Sequence, residues 1–236
     1  MLPIKRISPA RRARHILAAA RSPLANREVH YPDWYLHRWH FLPEGYLSRR
    51  GAALYEHVIQ LLYWELSARR AFDMVVRALR ASEAHTVLDI GCGPGTLLGT
   101  LREQLPGARV AGVDLSPYML ERAKRRAPQA DLVHADAVAL PWPDGTFAAV
   151  TACHVLGHVP GEAKRAIAAE TERVLATGGV AVVVDHPWHG EPIAGMVLLA
   201  RRRLAAGLLE LRVYRKWAAV AGQDGIPGVS TGSLPA

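Results

Sequence analysis

The chain has 236 residues, 50% of them hydrophobic and 21% charged, which excludes a disordered or collagen-like polypeptide and suits one folded domain with an appendage. Its two cysteines, Cys92 and Cys153, cannot build a disulfide framework and lie in no cluster with structural-zinc spacing, so reducing, cytoplasmic surroundings and no metal are expected. The net charge of +8 sits in the flanks: residues 1–80 hold 14 basic and 6 acidic side chains, residues 81–190 hold 9 and 12, and residues 191–236 hold 6 and 3.

Residues 1–80 read as a basic, aromatic extension followed by helices. The apolar run Ile16–Ala20 is closed by Arg21 and is too short for a secretion signal. Aromatic side chains then gather in Tyr31, Trp34, Tyr35, Trp39, Phe41 and Tyr46, interrupted by Pro32 and Pro43. From Ala52 to Leu79 the apolar residues recur at three and four, which predicts amphipathic helix with a break near Ser67. The basic excess is almost all Arg (25 of 29), which fits a compositional bias better than a nucleic-acid footprint and argues against that partner.

After Ser82 short apolar runs alternate with helical stretches. The runs are 86–89, 109–114, 131–135, 147–151 and 180–184, with helices expected at 96–104, 117–126 and 162–176. Ser116 and Pro117 form a sound helix start, and Gly178-Gly179 a plausible stop. This pattern predicts an α/β fold with a doubly wound, mainly parallel sheet over residues 81–190, whose ligands sit at the carboxyl ends of the strands. Residues 191–236 are expected to be a helix and a tail. The apolar stretch 193–211 is broken by Arg201-Arg202-Arg203, so it does not span a membrane, although such a helix and the one at 52–66 suit peripheral contact with a membrane surface.

At the end of the first run stands Asp89-Ile90-Gly91-Cys92-Gly93-Pro94-Gly95-Thr96. Alternate glycines permit a tight turn and let a ligand reach the backbone. A dinucleotide fingerprint would need its third glycine at Thr96, and a phosphate-cradling loop would need Gly-Lys-Ser/Thr, which is absent.

This segment resembles the cofactor loop of the class I S-adenosylmethionine-dependent methyltransferases, in the branch that methylates quinones and natural products. The resemblance extends to Asp114, which ends the second strand, to His134-Ala135-Asp136-Ala137 at the third, and to Arg173 through Gly179 before the fifth. It departs at Ala148, where the family commonly has Asp, and at Thr177, where Pro is common. It implies a Rossmann-like fold and S-adenosyl-L-methionine as cofactor, with Asp89, Gly91, Cys92, Gly93 and Gly95 at its methionine end. Asp114 with Leu115 would take the ribose, and Asp136 with Ala137 the adenine. It further implies methyl transfer to O, N or C of a small acceptor, with N-terminal segments covering the substrate; aromatic side chains there suit an apolar or aromatic acceptor. A carboxylate fits the ribose role because it accepts from two neighbouring hydroxyls at once. The family's last two strands have no evident counterpart after Asp185: Leu209–Tyr214 alternates but reads as a continuing helix. His154 and His158 are the candidate proton acceptors for the substrate, four apart and able to share one helical face. Two other readings stay open: a non-methylating binder of the same cofactor, and an RNA methyltransferase, against which stands the absence of an Asn/Asp-Pro-Pro-aromatic signature after strand four.

Overall fold

A computed structural model describes residues 8–36, 42, 45–59, 69–187 and 193–217. The predicted break near Ser67, and the aromatic residues Trp39 and Phe41, lie outside the described residues. In chain order the elements are α1 (Pro9–Ala19), α2 (Arg49–Leu54, running into one π-helical turn at Tyr55–Ile59), α3 (Arg69–Ala81), β1 (Thr86–Ile90), α4 (Thr96–Gln104), β2 (Arg109–Asp114), α5 (Pro117–Arg126), β3 (Asp131–His134), β4 (Phe147–Cys153), α6 (Gly161–Val174), β5 (Leu175–Asp185), β6 (Met196–Leu204) and β7 (Leu209–Lys216).

The seven strands form one sheet in the order β3-β2-β1-β4-β5-β7-β6. The first five are parallel, and β7 runs antiparallel between β5 and β6. β1 lies at the centre of the parallel part and is buried from Val87 onward, which is why its sequence is a continuous apolar run rather than an alternating one. One apolar layer, with Phe72, Val75, Leu98 and Leu120, packs α3, α4 and α5 against one face of the sheet. A second layer, with Leu88, Val150, Ile167 and Val174, packs α6 against the other. The N-terminal segment forms a third cluster, in which Leu42 and Leu47 meet Tyr118 and Met119 of α5.

Two expectations are corrected. The helix expected at 162–176 ends at Val174, because Leu175 already pairs with Phe147 of β4, and Gly178-Gly179 lie inside β5. The helix expected over 193–211 does not exist. That stretch is β6 and the start of β7, so the two strands with no evident counterpart in the sequence are present. Leu, Ala and Arg favour helix locally, but the free edge of β5 offers a ladder that an isolated segment lacks. The hairpin turn carries only part of the usual signal: Gly207 (φ 88°) marks it, but Ala205 and Ala206 also hold positive φ values (49° and 53°) where Gly or Asn is usual. Glu210, fully buried on β7, forms ion pairs with Arg212 on its own strand and with Arg201 on β6, which satisfies a charge that would otherwise oppose burial. A surface helix at 193–211 is therefore no longer an argument for membrane contact. Among the described residues, no helix is long and apolar enough to cross a membrane.

Candidate functional site

The carboxyl ends of β1, β2, β3 and β4 open onto one cavity, roofed by the N-terminal segment. Its floor is the loop after β1. Gly91, Gly93 and Gly95 all have positive φ (62°, 53° and 80°), but they meet different surroundings. A Cβ on Gly91 would lie 2.6 Å from Val155 Cγ2, and one on Gly95 would lie 2.7 Å from Ala123 Cα of α5. On Gly93 it would meet nothing nearer than the Gly91 carbonyl oxygen at 4.0 Å. Gly91 and Gly93 line the cavity, whereas Gly95 serves the packing of α4 on α5.

Asp114, at the end of β2, accepts from the Gly93 N–H at 2.9 Å with one oxygen and from the Ser116 N–H at 2.8 Å with the other. Its carboxylate is thereby tied to the glycine loop. Burial pushes its pKa up to about 6, against the lowering effect of the N–H groups of Ser116, Gly93 and Leu115. Asp136, past the end of β3, lines the cavity beside Ala137 and accepts from the Val138 N–H at 3.1 Å; burial raises its pKa too. Leu115 also lines the wall.

Asp89 and Cys92 do not line the cavity. Asp89 is buried in β1, where Thr151 Oγ1 donates to it at 2.7 Å, and burial raises its pKa to about 7. The Cys92 thiol is buried against β2, at a spot where a Cβ on Gly112 would come within 2.9 Å of Sγ, and burial raises its pKa well above the ordinary range. Such a thiol is a packing group.

His154 and His158 both face the cavity, but not from one helical face. His154 follows β4 with a positive φ of 58°, and only a single short turn, Leu156–His158, follows. The His154 N–H donates to Val184 O at 2.8 Å, and the Gly157 N–H donates to the buried Asp185 at 3.1 Å, so β5 holds this turn in place.

Four cavity residues come from the extension: Trp34, Tyr35, Tyr46 and Tyr55. Only Trp34, Tyr35 and Tyr46 belong to the aromatic group that the sequence singles out. Tyr55, on the π-helical turn, carried no signal beyond its place in a predicted helix. The extension is held on α5 by polar contacts: Arg49 with Glu121, Ser22 with Glu121 at 2.8 Å, Glu56 with Arg122 and Arg126, and Ser116 Oγ with Tyr46 O at 2.9 Å. Arg126 also donates to Thr96 Oγ1 at 2.8 Å, which links the extension to the start of α4.

Residues 87–179 match a family described as a methyltransferase domain. Over that stretch, under half of its length, the chain is similar to methyltransferase domains. The chain is 39% identical over 123 residues to the demethylmenaquinone methyltransferase of Thermus thermophilus, covering 50% of this chain and 53% of that one. It is 34% identical over 169 residues to the trans-aconitate 2-methyltransferase of Methylobacterium nodulans, covering 65% and 63%. The matched part thus falls short of two thirds of either relative. Among solved structures, the Burkholderia thailandensis 1,6-didemethyltoxoflavin-N1-methyltransferase has the same fold, with a TM-score of 0.56 at 19% identity over 72% of this chain and 87% of that one.

The cavity fits the cofactor that this fold implies. A side chain on Gly93 would project where nothing of the protein stands, and two cavity carboxylates follow the neighbouring strands β2 and β3. Gly91 and Gly93 would face its methionine end, Asp114 and Leu115 its ribose, and Asp136 with Ala137 its adenine.

Proposed function

We propose that the protein transfers a methyl group from S-adenosylmethionine to a small, uncharged aromatic acceptor, in the cytoplasm. The observation that carries this reading is that one cavity joins an open glycine loop and the Asp114 carboxylate, on one side, to His154, His158 and an aromatic roof on the other. The cofactor, when bound, supplies an electrophilic methyl carbon. The chain's part is to align the acceptor's nucleophilic atom with that carbon and to keep water away.

Trp34, Tyr35, Tyr46 and Tyr55 give flat apolar faces on which a ring can stack. Among the described residues the cavity wall carries no Lys or Arg, which is poor recognition for a polycarboxylate such as aconitate. A hydroxyl or ring N–H must lose its proton as the new bond forms, and His154 and His158, which line the cavity, are the candidates to accept it. The Tyr46 ring meets the His158 ring edge-on at 6.1 Å between centroids. The described residues before α3 act as the cover, and α3 with residues 81–187 as the cofactor-binding core, completed by the β6–β7 hairpin.

The test is calorimetric titration with S-adenosylmethionine, followed by incubation of the protein with methyl-labelled cofactor and a panel of phenols, hydroquinones and tricarboxylic acids. Label should pass to members of the first two groups. Binding without transfer to any acceptor, including those in a cell extract, would make the protein a cofactor-binding scaffold. Transfer to the tricarboxylic acids alone would overturn the acceptor class.

A further inference from the structure

Beyond the cavity itself, one buried side chain of the core takes polar contacts from two separate points of the extension. His134 ends β3 and is 3% exposed. Its Nδ1 accepts the backbone N–H of Asn26 at 2.9 Å. Its Nε2 lies 3.1 Å from Leu115 O and 3.2 Å from the Tyr31 hydroxyl. A nitrogen that accepts an N–H carries no proton, so the ring is neutral with its hydrogen on Nε2, donated to Leu115 O. The imidazole therefore ties two points of the N-terminal segment to the loop that lines the ribose side of the cavity.

The same ring begins an aromatic chain that crosses the roof. Tyr31 lies 5.9 Å from His134 and 6.2 Å from Tyr35, Tyr35 lies 6.2 Å from Tyr46, and Tyr46 lies 6.1 Å from His158. Movement of the segment at His134 is thus transmitted to the rings that would hold the acceptor.

We propose that His134 is a positioning residue: in its neutral form it latches the N-terminal segment over the cavity, and protonation at Nδ1 releases that segment. A proton taken from solvent at Nδ1 would set an N–H against the Asn26 N–H, and the bond between extension and core would break. The direction of titration agrees, since burial holds His134 below the ordinary 6.5. The titratable groups around it are Tyr31 itself, with Tyr118 and Asp114 acting on the Tyr31 hydroxyl, and Asp136 two residues along the chain. Glu121 of α5 is engaged by Ser22 and Arg49. The docked state binds fewer protons than the released one. Docking is therefore complete above about pH 6.5 and is lost as the pH falls below it, with the opening constant rising about tenfold per pH unit until the docked ring titrates as well.

The latch is independent of any ligand, but its consequence for methyl transfer rests on the function proposed above. The test is amide hydrogen exchange of the full chain without cofactor, from pH 5 to 8, corrected for the intrinsic rates. In the wild type, protection of residues 22–36 should fall steeply below pH 6.5. His134→Asn keeps an acceptor oxygen at the Nδ1 position but cannot titrate, so protection should persist and that slope should vanish. Any slope left in this variant belongs to Asp114 or Asp136. A flat wild-type profile, or the same slope in His134→Asn, overturns the proposal. Should the variant fail to fold, the ring-nitrogen NMR shifts of wild-type His134 decide: the neutral Nε2–H tautomer at pH 7.5 supports the latch, and the Nδ1–H tautomer or an imidazolium refutes it. Calorimetry with S-adenosylmethionine at pH 7.5 tests the cofactor reading separately. There the latch adds its own expectation, an affinity weaker at pH 5.5 than at pH 7.5, by at most about tenfold, with His134→Asn reducing the loss to what the carboxylates cause.

Discussion

The glycine loop offers a comparison in which backbone strain is held nearly constant while surroundings differ. Gly93 and Gly95 both have positive φ, at 53° and 80°. An alanine at either site costs about 1 kcal/mol for the left-handed backbone. At Gly93 no further cost arises, because the added carbon stands clear of the protein. At Gly95 the carbon would lie 2.7 Å from Ala123 Cα and 2.9 Å from Ala123 Cβ, in the fully buried face of α5. Neither atom can swing aside, so α4 and α5 must part. Overpacking of this kind adds roughly 1–3 kcal/mol, for a total of about 2–4 kcal/mol. Urea unfolding at neutral pH should show Gly93→Ala about 1 kcal/mol below wild type and Gly95→Ala about 2–4 kcal/mol below it, with the denaturant slope unchanged in both. Calorimetry should show the reverse order for cofactor binding, since the Gly93→Ala methyl enters the cavity while Gly95 does not line it. Equal destabilisation by the two substitutions, or full cofactor affinity in Gly93→Ala, would refute this division of labour.

Other substitutions probe the remaining parts. Asp114→Ala should weaken S-adenosylmethionine by about 1–3 kcal/mol in a calorimetric titration, through loss of charged hydrogen bonds; unchanged affinity would remove it from the site. Asp89 has a native pKa raised to about 7, so the native state holds its proton more tightly than the unfolded chain does. Its favourable contribution is complete below about pH 4 and disappears as the pH rises through 7, a change of a few kcal/mol at about 1.4 kcal/mol per pKa unit. Asp89→Asn, whose amide oxygen still accepts from Thr151, should flatten this slope in unfolding measurements across pH 4–8, and a persistent slope would assign it elsewhere. Glu210→Ala leaves the buried Arg212 without its carboxylate and should cost about 3–5 kcal/mol of unfolding free energy. A loss below 1 kcal/mol would mean that solvent reaches the pair.

The parallel half of the sheet, and the loops at its carboxyl ends, were legible because each depends on local pattern. β1 and β2 are buried apolar runs, Ser116 and Pro117 mark the start of α5, and three alternating glycines can serve few purposes after a strand. Such signals lie within a few residues of one another, so chain order alone displays them. Which glycine faces ligand and which faces α5 was not visible, because Val155 and Ala123 are remote in sequence. The same holds for Asp89 and Cys92, which the motif groups with the cofactor contacts and the fold places behind the cavity wall.

The C-terminal hairpin and the roof were decided by tertiary structure. Residues 193–211 have the composition of a helix, and only the open edge of β5, together with the buried charge of Glu210 among arginines of both strands, makes them strands. The aromatic residues near position 35 announced apolar contact but not its partner. His134 looked like one member of a strand-end motif, and its hold on Asn26 spans 108 positions. Periodicity and turn chemistry act over a turn or two of chain, whereas the pairing of a strand edge, the solvation of a buried charge and the docking of a cover are settled by whatever the folded chain brings alongside.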